Sequence, residues 1–243
     1  MSKVVIVTGG SRGIGAATAK LLGAKGYAVC VNYLANRELA DDVADCIIRA
    51  GGRAFACQAD VSSEADVIRL FDAAEERFGK VTHLVNNAGI LFTQSKLVDI
   101  DLERFNQVLN SNVVSCFLCS REAVRRFPAG SAIVNVSSLA SQTGSPFEYV
   151  DYAASKGAMD TLTKGLSREV AGSGIRVNAV RPGFIYTDMH ADGGEPGRVD
   201  RLAPQIPMQR GGSAEEVANT IAWLLSDEAS YVTGSFIDVA GGR

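Results

Sequence analysis

Histidine is scarce in this 243-residue chain. His83 and His190 are its two histidines, far apart and without ligand-like spacing, so metal catalysis finds no support in the residues. Cysteine is sparse as well. The five, at positions 30, 46, 57, 116 and 119, form no disulfide framework, and their odd number suits a reducing cytosol. Cys116 and Cys119 spell C-x-x-C, but inside the helix-like apolar stretch NVVSCFLCSREAV, with no second cysteine pair and no nearby histidine. Core or interface packing accounts for them better than a metal or redox site. A basic block is missing too: 24 Lys and Arg stand against 27 Asp and Glu, net charge −3. That argues against nucleic acid and anionic membrane as partners. No apolar run approaches the length that spans a bilayer. The opening MSKVVIVTGG enters a strand-like run almost at once, which leaves no room for a signal peptide. The expectation is a cytoplasmic protein with a small-molecule partner.

Apolar residues are plentiful, 47% of the chain, enough for a substantial core. Short β-branched runs recur at 3–8, 28–33, 53–58, 83–87, 132–137, 175–180 and 235–240. Amphipathic stretches such as ADVIRLFDAAEERFG and AEEVANTIAWLLSD lie between them. This alternation implies a parallel sheet with helices on both faces, and runs apolar throughout fit strands covered on both sides. No linker, repeat or low-complexity segment interrupts the pattern, so a single α/β domain over 1–243 is expected. The irregular region is 182–212, rich in Gly and Pro after the sixth strand. A segment of that length is usually a lid, a binding loop or a disordered insert, and ligands of open α/β sheets bind where it departs.

The first strand runs into TGGSRGIG, with Gly9, Gly10, Gly13 and Gly15, and a helix follows. Glycines at a strand-to-helix turn let backbone approach a pyrophosphate, and the helix start offers free N–H groups. The spacing G-x-G-x-x-G is absent because position 18 is Thr; the pattern is G-x-x-x-G-x-G. One or two such glycines would also serve a tight turn. Four within seven residues at this junction favour a dinucleotide and a Rossmann fold, doubly wound with seven parallel strands. At the end of the second strand stand Asn32 and Tyr33, with no acid before Glu38. A carboxylate there would repel a 2′-phosphate, so NADP is favoured, with NAD possible. Arg12 in the turn and Arg37 can supply positive charge to that phosphate, although Arg37 also reads as a solvated charge at a helix start.

In YVDYAASKGAM, Tyr152 and Lys156 are four apart and share one side of a helix. An ammonium beside a phenol lowers its pKa, which makes Tyr152 a proton donor or acceptor near neutral pH. Taken alone, such a pair equally describes packing on a surface helix.

Seven segments together resemble the short-chain dehydrogenase/reductase family: TGGSRGIG, ADV at 59–61, NNAG at 86–89, Asn112 in LNSN, NVSS ending at Ser138, YAASK at 152–156 and RPGFIYT at 181–187. The resemblance covers the whole chain, and it selects Tyr152 over Tyr149, because Tyr152 has its lysine four residues on. It implies a catalytic set of Asn112, Ser138, Tyr152 and Lys156. Tyr152 is then general acid in carbonyl reduction and base in alcohol oxidation, and Lys156 lowers its pKa and holds the nicotinamide ribose. Ser138 orients the substrate oxygen, and Asn112 positions a water that relays protons from Lys156. It further implies cofactor contacts from Gly9, Ser11, Arg12, Gly13, Ile14 and Gly15, and from Asn32, Tyr33, Asp60 and Val61. Asn86 or Asn87 with Ala88 and Gly89 line the groove, and Pro182, Gly183, Ile185 and Thr187 hold the carboxamide and phosphates. NNAG also reads as a β-α turn chosen for backbone geometry. The family is commonly tetrameric, and the Ala/Gly/Ser-lined helix 153–170 with the apolar segment 113–127 suits a homotetramer or an internal core.

Within the family the chain is similar to 3-oxoacyl-carrier-protein reductases and glucose 1-dehydrogenase-like oxidoreductases. The expected function is NADP(H)-dependent interconversion of a carbonyl and a secondary alcohol. Reduction of 3-oxoacyl carrier protein is the alternative; Arg125 and Arg126 persist before the fifth strand, but AGSGI before the sixth lacks a basic residue. A non-catalytic dinucleotide sensor is the other alternative, although such proteins typically lose the tyrosine or lysine. Arg181 contacts substrate or faces solvent.

Overall fold

Every residue of VVIV at 4–7 is buried, and alternate side chains serve opposite faces of the first strand, β1 (Val4–Val7). Val5 and Val7 enter one apolar cluster; Val4 and Ile6 enter the other. The computed structural model describes residues 3–243; Met1 and Ser2 of the expected domain lie outside the described residues. The other strands are β2 (Ala28–Tyr33), β3 (Arg53–Gln58), β4 (His83–Asn86), β5 (Ala132–Val136), β6 (Arg176–Pro182) and β7 (Phe236–Val239). They form one parallel seven-stranded sheet in the order β3-β2-β1-β4-β5-β6-β7. The strands match the runs read from sequence, and β6 continues through Arg181 and Pro182.

Helices α1 (Gly13–Ala24) and α2 (Arg37–Arg49) cover one face, and α3 (Glu64–Phe78) covers the other. Next come α4 (Leu102–Leu109), a π-helical turn Asn110–Val114 and α5 (Ser115–Arg126), then α6 (Ala140–Thr143) and α7 (Val150–Val170). The chain order reverses between β1 and β4, so their carboxyl ends open a crevice where a ligand belongs.

The segment 182–212 is more regular than its composition suggests. It holds α8 (Met189–Asp192) and α9 (Arg198–Leu202), because Val199, Leu202 and Ile206 find buried positions. Its base is pinned by Tyr186 N–H to the Gly212 carbonyl and Gly212 N–H to the Phe184 carbonyl, both at 2.9 Å. Ser213 and Glu216 then start α10 (Ala214–Leu225) with a reciprocal capping box.

Several polar residues inside the fold have local partners. His83 packs edge-on against Tyr27, its Nδ1 lies 2.8 Å from the Thr82 hydroxyl, and burial pushes its pKa down to about 4. Burial likewise pushes the Cys116 thiol up to about 12 and that of Cys119 higher still, so C-x-x-C is a pair of inert thiols facing the core. Asn86, placed in the groove by one sequence expectation, instead points into the sheet interior. Its amide donates to Asn135 Oδ1 at 2.8 Å and to the Ser120 hydroxyl at 2.9 Å. Asn135 in turn donates to the Thr163 hydroxyl at 2.8 Å, which joins β4, β5, α5 and α7. Strand alternation explains the correction: Asn86 closes β4 on the α5 side, and groove-facing positions begin at Asn87. Asn135→Ala, which removes one of the Asn86 amide's two acceptors and the donor to Thr163, is expected to lower unfolding free energy by about 1–3 kcal/mol in urea titration.

Candidate active site

The turn after β1 is held from two sides, by Asn32 and Asn87. Asn32 Oδ1 accepts from Gly9 N–H at 3.2 Å while the Asn32 amide donates to the Ala59 carbonyl at 3.0 Å. Asn87 donates to the Thr8 and Gly9 carbonyls at 3.0 and 2.9 Å. Gly9 has φ +59°, and a Cβ on Gly15 would lie 2.3 Å from the Gly9 carbonyl oxygen and 2.5 Å from the Asn87 amide nitrogen. Glycine at 15 is therefore a steric requirement. The α1 start has no side-chain cap and no acid in its first turn, which leaves its N–H groups and positive end for an anion.

A cavity of about 400 Å³ runs along these residues. Gly9, Ser11, Arg12, Gly13 and Ile14 line it, as do Asn32, Tyr33, Asp60 and Val61, with Asn87, Ala88 and Gly89 across the crevice. Gly15 shapes the turn from behind. Asn32 is almost wholly engaged in bracing the backbone. Of the two expected cations, Arg12 lines the cavity and pairs at 2.5 Å with Asp192 of α8. Arg37 is exposed, pairs with Asp41 at 3.3 Å and lies off the cavity wall.

A second cavity, about 350 Å³, meets the first at Ile14, Asn87, Gly89, Thr187 and Met189. Ser138, Tyr152 and Lys156 line it, with Pro182, Gly183, Ile185 and Thr187. The Lys156 ammonium is buried, donates to the Val136 carbonyl at 2.8 Å and lies 5.5 Å from the Tyr152 ring centroid. Burial brings its pKa down to about 8, against the pull of Cys116 and Asp160. Burial also pushes the Tyr152 phenol up to about 12, and a hydrogen bond from Ser138 acts in the opposite sense. The expected lowering of Tyr152 by Lys156 is thus outweighed by burial, because the ammonium is directed at the Val136 carbonyl. Asn112 lies in the π-helical turn. It accepts from Ile90 N–H at 2.8 Å and donates to the Ile90 carbonyl at 3.2 Å and the Ser155 hydroxyl at 3.0 Å. Gly89 is the meeting point: a Cβ there would lie 3.2 Å from Asn112 Oδ1 and 3.6 Å from Lys156 Nζ. The four expected catalytic residues therefore converge, although a π-turn has no signature in the sequence.

Residues that sequence reasoning did not place here include Leu91, Tyr149, Phe184, His190 and Arg198. They come from loops and from 182–212, where no periodicity or motif marks a wall position. Arg181 lies off the cavity wall and is partly buried: it pairs with Asp160 at 2.9 Å and stacks on Phe236 at 4.2 Å. Arg126 is held by Asp72, Glu75 and Glu122, and Arg125 by Glu122, so both cations before β5 already have acidic partners.

Comparison with known proteins agrees across nearly the whole chain. A family model described as enoyl-(acyl carrier protein) reductase matches residues 9–243. Uncharacterized oxidoreductase YgfF of Escherichia coli is 62% identical, covering 99% of each chain. A 3-oxoacyl-[acyl-carrier-protein] reductase, FabG, of Staphylococcus aureus is 38% identical over 100% of this chain and 98% of its own. Among solved structures, a short chain dehydrogenase from Burkholderia cenocepacia in complex with NADP superposes with a TM-score of 0.92 at 37% identity, covering 99% of this chain and 97% of that one. Gly15→Ala, which forces backbone apart at the turn, is expected to cost about 1–3 kcal/mol of stability by denaturant titration.

Proposed function

The chain belongs to the short-chain dehydrogenase/reductase family of oxidoreductases, and on that premise we propose that it interconverts a carbonyl and a secondary alcohol with NADP(H). The observation that carries the proposal is the junction of the two cavities at Gly89, beside the Lys156 ammonium, Asn112 and the wall holding Tyr152 and Ser138. The uncapped start of α1 and the crowded Gly15 fit a pyrophosphate, and the ending of β2 in Asn32 and Tyr33 removes the acid that would repel a 2′-phosphate. The relative solved with NADP supports the same choice.

Bound NADP(H) supplies or takes up the hydride; this chain supplies orientation and one proton. With its phenol raised to about 12, Tyr152 keeps its proton at neutral pH and gives it to the carbonyl oxygen in reduction. The nearby Lys156 ammonium stabilises the phenolate that results and holds the ribose. Ser138 orients the reacting oxygen, and Asn112 fixes the 89–90 loop and orders a water that returns the proton through Lys156. In this reading 182–212 is the lid over the substrate. Exposed Phe117 and Val114 at α5 support the homotetramer implied by family likeness. The paired state of Arg125 and Arg126 favours a small substrate over an acidic carrier protein.

Three outcomes check this. NADPH oxidation across ketones, sugars and 3-oxoacyl thioesters is expected to find turnover that Tyr152→Phe abolishes while NADPH still binds. Retained turnover in that variant would remove Tyr152 from the chemistry. Arg12→Ala is expected to weaken NADPH about tenfold, near 1.4 kcal/mol, and leave NADH unchanged, read by fluorescence titration. The pH profile follows from Lys156. Its pKa is depressed, so its stabilising charge is present below about 8 and is lost above. Reductive kcat/KM should therefore fall as pH rises through that value.

A further inference from the structure

The dinucleotide cavity holds little positive charge for a cofactor that brings an extra phosphate. Among the described residues, Arg12 is the only Lys, Arg or His on its wall, which also carries the carboxylates of Asp60 and Asp188. Asp60 is engaged within its own turn, where Oδ1 accepts from the Ser62 N–H at 2.9 Å and from the Ser62 hydroxyl at 2.6 Å. Arg12 is engaged as well. Its Nη2 donates to Asp192 Oδ2 at 2.5 Å, a contact between residues 180 apart in the chain. A 2′-phosphate entering this cavity therefore meets a cation that another anion already holds.

That other anion belongs to the segment beside the substrate cavity. Asp192 ends α8 and lies on neither cavity wall, whereas Thr187 and Met189, shortly before it, border both cavities. The segment thus reaches the glycine turn through an ion pair, and that pair is built to exchange. Both side chains are about half exposed, 51% for Arg12 and 46% for Asp192. Among the described residues a single hydrogen bond joins them, in place of a two-pronged guanidinium-carboxylate fork. Ion pairs of that exposure change an equilibrium by a factor of about five at most. A phosphate brings more negative charge and more acceptor oxygens than a carboxylate, so it is the stronger partner for the same guanidinium.

Resting on the NADP(H) reading above, we propose that Asp192 occupies Arg12 in place of the cofactor's 2′-phosphate and is displaced from it when NADP(H) binds. Breaking the pair subtracts from the affinity for NADP(H). NAD(H), which has no 2′-phosphate, leaves the pair intact and is bound without that loss. Asp192 is thus a specificity-determining residue that acts through Arg12. It narrows the preference for NADP(H) over NAD(H) that Arg12 alone would give.

The test is fluorescence titration of NADPH and of NADH into the unaltered chain, Asp192→Asn and Asp192→Ala, and into the same two variants combined with Arg12→Ala, each checked for folding by thermal melting. Both single variants at Asp192 are expected to bind NADPH about three- to fivefold more tightly and NADH as before. With Arg12 replaced, the gain from changing Asp192 should disappear, since the cation through which it acts is gone. A general change in the shape of the turn would move both cofactors together, so the comparison between them isolates the 2′-phosphate. NADPH affinity that is unchanged or weakened, an equal gain for both cofactors, or a full gain that persists without Arg12 overturns this inference and leaves the NADP(H) reading standing. Failure of the unaltered chain to bind either cofactor overturns that reading and this inference with it.

Discussion

A buried ammonium is the most demanding group in the molecule. Lys156 is 3% exposed, on α7, and its ammonium donates to the Val136 carbonyl at the end of β5. Removing such a charge from water is costly unless partners replace the water. The surroundings answer that demand. Gly89 comes close enough that a Cβ there would crowd Asn112 and touch Lys156, and Asn112 clamps Ile90. The break of α4 into a π-turn is what brings Asn112 to that place. The depressed lysine pKa and the raised tyrosine pKa share one physical cause, loss of water.

The sheet order explains why two cavities meet there. Reversal between β1 and β4 leaves a crevice at their carboxyl ends, and the turns after both strands face it. Thr8 ties the turns together, its hydroxyl accepting from Asn87 and Ala88 N–H at 3.0 Å. The two cavities differ in how charge is managed. The glycine-turn cavity keeps backbone donors available to an anion, and Arg12 lines it in a half-exposed pair with Asp192. In the cavity beside Tyr152, Arg198 is locked by Glu148 and Glu195.

Legibility in the sequence followed how locally each feature is encoded. Strands were legible because burial on both faces demands continuous apolar runs. Tyr152 and Lys156 were legible because four residues on a helix make them neighbours whatever the rest of the fold does. The Asn86–Asn87 distinction was lost because strand parity at the end of β4 decides it by a single position. Arg37 read equally as a phosphate cation or a solvated charge at a helix start, because its proximity to β2 is visible in sequence, but its pairing with Asp41 is not.

Sequence by itself determined the parallel α/β architecture, the glycine turn and the lysine-tyrosine helix, since each rests on periodicity or contact within a few residues. Tertiary structure decided how strongly burial shifts those two pKa values, which cations are already paired and which polar atoms are buried. These depend on groups far apart in the chain, such as Tyr149 beside Arg198 or Asn112 beside Gly89, and on water excluded when the sheet and its helices close around them.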